Sequence, residues 1–232
     1  MGDLVTYDYK DGIATITMDD GKANVLSPAM QGEINAALDQ GTTDKAVVVL
    51  TGREGTFSGG FDLRVLTAGG PDAMSMLFGG FELAERLLGF PTPVVIAVSG
   101  HAIAMGAFLV LSADYRIGAA GAFKLQANEV AIGLPLPRSA VEVCRQRLSP
   151  TYFNRVTVLS EPISPDDAIA AGFLDKVVAP AELAEAAQAT AARLAKLNMA
   201  AHIATKMTVR ATALKAIRAA IDADKAQLGV KV

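Results

Sequence analysis

The chain has 232 residues, of which 51% are hydrophobic and 19% are charged, and its formal net charge is −3. This composition is typical of a globular protein with a sizeable core, and it excludes a disordered chain. Because there is no basic surplus, we expect neither nucleic acid nor a membrane as a partner, although local basic residues remain available for a phosphorylated cofactor.

The first fifth of the chain predicts a β-hairpin followed by a helix. Residues 3–9 and 12–19 alternate between side-chain types, and an Asp-Gly pair typical of a tight turn joins them. Ser27 and Pro28 are the residue types preferred at the N-cap and the first position of a helix. We expect that helix to run to about Gln40.

The next stretch predicts a buried strand, a loop and an amphipathic helix. Residues 45–51 form an apolar run typical of a strand that is buried on both faces, and a glycine-bearing loop follows at 52–60. Residues 72–89 have the hydrophobic periodicity of a helix. Gly79-Gly80 should weaken the middle of that helix, and with two neighbouring phenylalanines they predict a mobile helix over a pocket.

The remainder predicts an α/β core followed by an all-helical region. A strand at 94–98 leads through a turn into an apolar helix at 108–111. Further strands are predicted at 115–118, 123–125 and 177–178, and further helices at 137–148, 150–159 and 165–171. The composition becomes alanine-rich after 180, so we divide the chain into a core of residues 1–180 and a C-terminal helical region of residues 181–232, interpreted as an oligomer interface or lid.

Cysteine usage and the apolar runs bear on the compartment. Cys144 is the only cysteine, so no intrachain disulfide is possible, which favours a reducing, cytoplasmic setting. Its apolar surroundings predict a structural thiol rather than a nucleophile. The N-terminus lacks the features of a signal peptide, and no apolar run reaches the roughly 18–20 residues that a membrane span needs.

Two glycine-containing turns, each following an apolar strand, are the first candidate functional elements. They comprise residues 56–63 (Thr-Phe-Ser-Gly-Gly-Phe-Asp-Leu) and 100–109 (Gly-His-Ala-Ile-Ala-Met-Gly-Ala-Phe-Leu). Two backbone N–H groups from such turns, one at a helix N-terminus, are suited to stabilise an oxyanion. Tight turns with close helix packing are the alternative that composition alone favours for the same glycines. Neither turn has the pattern of a phosphate-binding or dinucleotide-binding loop.

Glu129 is the second candidate, because its neighbours Ala127, Val130, Ala131 and Ile132 are apolar. A carboxylate in apolar surroundings has a raised pKa and can act as an acid or a base near neutral pH. The alternative is a glutamate at a helix end whose carboxylate reaches solvent.

These segments, in this order and spacing, resemble the crotonase (enoyl-CoA hydratase/isomerase) family. The resemblance covers nearly the whole chain, including the opening hairpin, residues 24–27 (Asn-Val-Leu-Ser) and residues 168–176 (Ala-Ile-Ala-Ala-Gly-Phe-Leu-Asp-Lys). It implies a crotonase-like spiral of ββα units with a C-terminal helical trimerisation region, assembled as a homotrimer or a dimer of trimers. It also implies an acyl-CoA thioester substrate, with coenzyme A as part of that substrate and no further cofactor or metal.

The same resemblance implies roles for individual residues. The thioester oxygen is expected to bind the backbone N–H groups of Phe61 and Met105, and Glu129 matches one of the two catalytic glutamates of the family's hydratases. The remaining expected contacts to the substrate or its coenzyme A portion are Lys22, Asn24, Leu26, Gly60, Asp62, Leu63, Gly106 and Phe108.

One departure from the family pattern leaves the reaction open. Phe108 stands where the hydratases carry their other glutamate, and a phenyl ring can neither bind water nor transfer a proton. A single glutamate suits the isomerisation of a 3-enoyl-CoA to a 2-enoyl-CoA, whereas hydration would need another group, with His101 the nearest in sequence. The sequence therefore favours neither isomerase nor hydratase activity in fatty-acid metabolism over the other. The alternative to an enzyme is a protein that binds acyl-CoA without catalysis.

Overall fold

A computed structural model describes residues 2–228. Within them a larger, six-stranded sheet begins with the predicted hairpin of β1 (Val5–Lys10) and β2 (Ile13–Met18), which pair antiparallel. The other strands of this sheet extend it in parallel from β2, in the order β3 (Val47–Gly52), β5 (Val94–Val98), β7 (Tyr115–Ala119) and β9 (Lys176–Val178).

A second, smaller sheet explains the repeating architecture. It consists of three parallel strands, β4 (Gly55–Ser58), β6 (Gly100–Ile103) and β8 (Leu125–Gln126). Each of them follows a strand of the larger sheet, so the chain turns through successive ββα units. This confirms the predicted α/β spiral. The prediction of a plain loop at residues 52–60 was wrong, because β4 lies inside it and pairs with β6.

Helices pack around the two sheets. They are α1 (Pro28–Thr43), α2 (Leu63–Ala68), α3 (Gly70–Leu88), α4 (Met105–Leu111), α5 (Arg138–Arg145), α6 (Pro150–Thr157), α7 (Pro165–Ala171), α8 (Leu183–Leu194) and α9 (Met199–Gln227). One of them, the fully buried α4, lies within the core. As predicted, Ser27 caps α1 by accepting a hydrogen bond from the N–H of Met30. The sequence reading missed α2, which is too short for periodicity to reveal but is capped by the carboxylate of Asp62.

The two central glycines of α3 have a packing role. The helix is unbroken across Gly79 and Gly80, so the predicted weakening has no counterpart in its secondary structure. A Cβ at Gly79 would lie 2.5 Å from the Gln31 side-chain oxygen, and one at Gly80 would lie 2.5 Å from the Phe61 ring. The glycines therefore allow α1 and Phe61 to approach α3 closely.

The C-terminal helices pack against the core in two places. Leu183, Ala187 and Ala191 of α8 cover one face of the larger sheet. Ile217 and Ile221 of α9 are fully buried in the main core. Residues 181–228 are thus part of the core packing, and the end of α9 reaches the cavity described below. Among residues 2–228, no helix is both long and apolar enough to cross a bilayer.

Two residues outside that cavity have structural roles, and the role of Cys144 is the one expected from the sequence. Cys144 is free and fully buried on α5, where burial and the nearby Glu129 carboxylate raise the pKa of its thiol. Asp114, which precedes β7, accepts hydrogen bonds from the backbone N–H of Val94 and from Lys206, and it also pairs with Arg210. It therefore joins the start of two strands to α9.

Candidate active site

A cavity of about 670 Å³ lies between α2, α3, the segment 128–139 and the end of α9. Its walls are mainly apolar, formed by Phe61, Leu63, Leu66, Leu77, Phe78, Phe81, Ala104, Ile132, Leu134, Leu136 and Leu228. Polar side chains occur at two places, Asn128 with Glu129, and a group formed by Arg138, Ser139, Asp224 and Gln227. Such a cavity suits a mostly apolar ligand that carries a few polar atoms.

The two glycine-containing turns meet at the wall of this cavity. Gly60 has a φ of 90°, and a Cβ there would lie 2.9 Å from both the Ala104 Cβ and the Ile103 carbonyl oxygen, and 3.4 Å from the Met105 nitrogen. Ala104 adopts the unusual φ, ψ pair of 50° and −122° for a residue with a side chain. Each expected donor, Phe61 and Met105, thus directly follows a residue with positive φ, which costs free energy at Ala104.

The N–H groups of these two donors are both available. Neither Phe61 nor Met105 donates its backbone hydrogen to an acceptor among residues 2–228. Met105 is the first residue of α4, where helix geometry leaves the N–H without an intrahelical partner and the helix dipole favours negative charge. The structure therefore brings together two adjacent turns that each carry an unpaired donor.

Glu129 lies in a tight turn that directs it into the cavity. A 3₁₀ turn at Val130–Ile132 follows it, and the N–H of Leu134 donates to the Glu129 carbonyl at 2.9 Å. The Oε2 atom is inaccessible to solvent and has no hydrogen-bond partner among the described residues. Burial raises the pKa of this carboxyl to about 7, because the charged form loses its hydration.

Three phenyl rings form a layer beside the donors. Phe81 lines the cavity and contacts Phe61 edge-to-face, with ring centroids 6.2 Å apart. Phe108 stacks on Phe81 at 6.0 Å and is only 1% exposed. Phe81 therefore separates Phe108 from the cavity, whose described lining does not include Phe108. A direct contact of Phe108 with the substrate stays a prediction.

His101 takes no part in the cavity lining described for residues 2–228. Its Nδ1 accepts a hydrogen bond of 3.2 Å from the backbone N–H of Lys124, and its ring packs edge-to-face on Phe123. These contacts match the alternative of a hydrogen-bonded turn histidine. Nothing in the described lining of the cavity therefore supports His101 as the group that binds water for hydration.

The remaining residues expected to contact the substrate fall into two groups, buried residues that pack against the turns and residues with exposed side chains. Asn24 and Leu26 are fully buried, and the Leu26 N–H donates to the Gly60 carbonyl at 2.8 Å. Gly106 packs against Ser58, where a Cβ would lie 2.6 Å from the Ser58 carbonyl oxygen. The other three are Asp62, which caps α2, Leu63, which is exposed and lines the cavity, and Lys22, which is exposed at the surface.

Comparison with known proteins decides the family. The sequence model described as "Enoyl-CoA hydratase/isomerase" matches residues 8–230. The chain belongs to this family. Its members act on acyl-CoA thioesters, and the protein is an enzyme of the lyase or isomerase type. The resemblance inferred from the sequence is thereby confirmed.

Similar proteins within the enoyl-CoA hydratase/isomerase family carry both reaction names. A probable enoyl-CoA hydratase of Rhodobacter capsulatus is 30% identical over 209 residues, which cover 89% of this chain and 81% of that protein. The apo structure of an enoyl-CoA isomerase of Mycobacterium tuberculosis is 49% identical, with a TM-score of 0.93 and coverage of 97% and 99%. An enoyl-CoA hydratase of Mycobacterium ulcerans is 50% identical, with the same TM-score of 0.93 and the same coverage.

The sequence reading missed several polar residues of the site. Asn128 precedes Glu129 and lines the same cavity, yet an asparagine beside a glutamate gives no signal of its own in a sequence. Asp224 and Gln227 come from the end of α9, and Asp224 accepts hydrogen bonds from the Ser139 N–H and hydroxyl, both at 2.9 Å. Their position depends on the packing of α9 against α5.

Proposed function

We propose that this enzyme stabilises the enolate of an acyl-CoA thioester and isomerises 3-enoyl-CoA to 2-enoyl-CoA, with Glu129 as its acid and base. The observation that carries the proposal is the position of Glu129, which lines an apolar cavity whose wall includes the two adjacent turns and whose Oε2 atom is buried without a hydrogen-bond partner among the described residues. A carboxyl with a pKa of about 7 is suited both to accept and to return a proton at neutral pH.

The proposed reaction uses three groups of this chain. The thioester oxygen accepts hydrogen bonds from the Phe61 and Met105 N–H groups, which acidifies the C2 protons by stabilising the enolate. Glu129 removes a proton from C2, the double bond moves from C3–C4 to C2–C3, and Glu129 delivers the same proton to C4. The apolar walls exclude water from the dienolate and hold the acyl chain in place.

The proposal also covers the choice between an enzyme and a carrier, the metabolic role, the compartment and the assembly. Membership of an enzyme family and a buried Glu129 both count against a non-catalytic acyl-CoA carrier. We further propose that the substrate belongs to fatty-acid metabolism, that the enzyme is cytoplasmic, and that it assembles as a trimer or a dimer of trimers. Val209, 76% exposed on α9, is one of the apolar side chains that such an assembly would cover.

A paired assay on the purified enzyme tests the reaction. We expect turnover of a 3-enoyl-CoA to the 2-enoyl isomer. Loss of a 2-enoyl-CoA by hydration should be slower, because Glu129 lacks a second carboxylate to orient the attacking water. Both are measured on one preparation, with chain length varied. Binding of both thioesters without turnover would contradict the proposal, and so would hydration near the diffusional ceiling with no isomerisation.

Gly60→Ala tests the contact between the two turns. The new Cβ would crowd Ala104 and the Ile103 carbonyl, so we expect kcat to fall about 10- to 100-fold as the donors separate. Gly55→Ala is the matched control, because Gly55 also has positive φ, 77°, but no atom within 4 Å of the added Cβ. Both variants should lose about 1–3 kcal/mol of stability. An equal loss of kcat in both variants would show that the close contact between the two turns does not position the donors.

A further inference from the structure

The side chains of both donor residues pack against the same position of α3, Gly80. A Cβ added to Gly80 would lie 2.5 Å from the Phe61 Cε1 and 3.2 Å from the Met105 Cγ. Phe61 is only 8% exposed and Met105 is fully buried, so neither side chain has much room to move away. The two donors come from different turns, and Gly80 is a single residue that lies against both of them.

The next residue of α3, Phe81, connects the same two turns through aromatic rings. Its ring contacts Phe61 edge-to-face and stacks on Phe108 with an interplanar angle of 28°. Phe108 lies three residues after Met105 in α4, a spacing that places two side chains on the same side of a helix. This side of α4 therefore packs against α3 at both Gly80 and Phe81. Because protein interiors are close-packed and transmit strain, a shift of α3 would move both donors.

Space, and not backbone conformation, explains the glycine at position 80. Gly80 lies inside α3 without a positive φ, and glycine is less favourable than alanine inside a helix. A side chain there would overlap the Phe61 ring. The neighbouring Gly79 is equally crowded, but a Cβ there would meet the Gln31 Oε1, at 2.5 Å, and no donor residue. The two glycines thus differ in what they touch.

We propose that α3 is the support that holds the two N–H donors on one thioester oxygen, with Gly80 and Phe108 as positioning residues. Gly80 lets both donor side chains pack directly on the helix, and Phe108 ties α4 to Phe81. The inference rests on the proposed function, because the placement of the donors matters only if both bind the same oxygen. It also gives Phe108 a task that needs no contact with the substrate.

Gly80→Ala tests the direct contact, with Gly79→Ala as the matched control. Both substitutions add one methyl group to the middle of α3, and each new Cβ would meet a buried side chain at 2.5 Å, but only Gly80→Ala reaches the donor residues. We expect kcat for isomerisation of a 3-enoyl-CoA to fall about 10- to 100-fold in Gly80→Ala, with little change in KM, because displaced donors lose the enolate. Gly79→Ala should keep kcat within about 3-fold of wild type.

The carbonyl stretch of a bound thioester reports on the donors themselves. It is measured by infrared spectroscopy on an isotope-labelled saturated acyl-CoA, because hydrogen bonds to the carbonyl oxygen lower its frequency. The shift from the value in water should be smaller in Gly80→Ala than in wild type or Gly79→Ala. Phe108→Leu adds no atom to α3, should reduce the same shift and lower kcat about 3- to 10-fold, and serves where Gly80→Ala fails to fold.

A second substitution tests whether the effect passes through Phe61. Phe61→Leu removes the ring atoms Cε1 and Cζ, which the Cβ added at position 80 would meet, and keeps the backbone N–H. In the Gly80→Ala background it should therefore restore part of kcat and part of the carbonyl shift. Phe61→Leu alone is measured beside it, so that the recovery is read as a coupling between the two positions.

The outcomes separate this inference from the proposed function. An unchanged kcat in Gly80→Ala, an equal loss in Gly79→Ala, or a lower kcat with an unchanged carbonyl shift overturns the positioning role and leaves the isomerase proposal intact. A raised KM alone would show that the Phe61 ring moves into the cavity instead, and it also overturns the role. A wild-type enzyme that neither exchanges C2 hydrogen for deuterium nor shifts the carbonyl stretch overturns both.

Discussion

Glu129→Gln is expected to lower turnover about 10²- to 10⁴-fold while leaving acyl-CoA affinity nearly unchanged, because glutamine keeps the shape of the side chain but is unable to accept the C2 proton. In wild type, kcat/KM should rise with pH through about 7, since the carboxyl must be ionised to act as the base. The measurements are steady-state kinetics from pH 5 to 9 and equilibrium binding of a saturated acyl-CoA. Full turnover in the variant would remove Glu129 from the mechanism.

Stability supplies the control for that variant, and its sign follows from the pKa. Burial raises the pKa of Glu129 from an ordinary value near 4.5 to about 7, so the folded protein holds this proton more tightly than the unfolded chain does. The stability that this protonated carboxyl contributes is therefore fully present below about pH 4.5 and is lost as pH rises through about 7, a change on the order of 3 kcal/mol. The neutral glutamine of the variant has no such loss, so urea titrations at pH 8 should find Glu129→Gln more stable than wild type. A less stable variant would indicate that lost activity reflects unfolding.

Local sequence patterns reach the turns and the acid but not the full cavity. The positions of Gly60 and Met105 follow from a strand and a turn next to a helix, and Glu129 is marked by its apolar neighbours. These are signals within about ten residues of chain. Asn128 gives no such signal, because its exposure to the cavity depends on how the turn before Gly133 meets residues from α2 and α3.

The C-terminal region illustrates why the remainder needs tertiary structure. Lys206 lies in the alanine-rich C-terminal helical region, where nothing in the local sequence marks it for burial, yet its side chain is only 3% exposed. Its burial depends on Asp114, which lies 92 residues earlier in the chain. In the same way, Asp224 reaches Ser139 across 85 residues. Contacts between residues so far apart in the chain leave no periodic pattern in the sequence, so neither pairing can be predicted from the sequence alone.

Asp114→Asn is expected to destabilise the protein by about 3–5 kcal/mol, the cost typical of leaving a buried charge without its partner. The Lys206 ammonium lies 2.7 Å from the Asp114 carboxylate, and it also donates to the backbone carbonyls of Phe90 and Thr92. Arg210 is a second cation, 3.0 Å from the same carboxylate. Burial lowers the pKa of Lys206, and Asp114 opposes that shift, so its removal leaves two cations together in a poorly hydrated site.

The measurement is urea denaturation at a fixed protomer concentration, since assembly contributes to apparent stability. Asp39→Asn is the matched control: Asp39 also pairs with an arginine, Arg86, but is 74% exposed, so its loss should cost less than about 1 kcal/mol. Lys206→Met in the Asp114→Asn background should restore part of the stability, because it removes the uncompensated ammonium. Additive losses in the double variant would show that the two groups are not coupled.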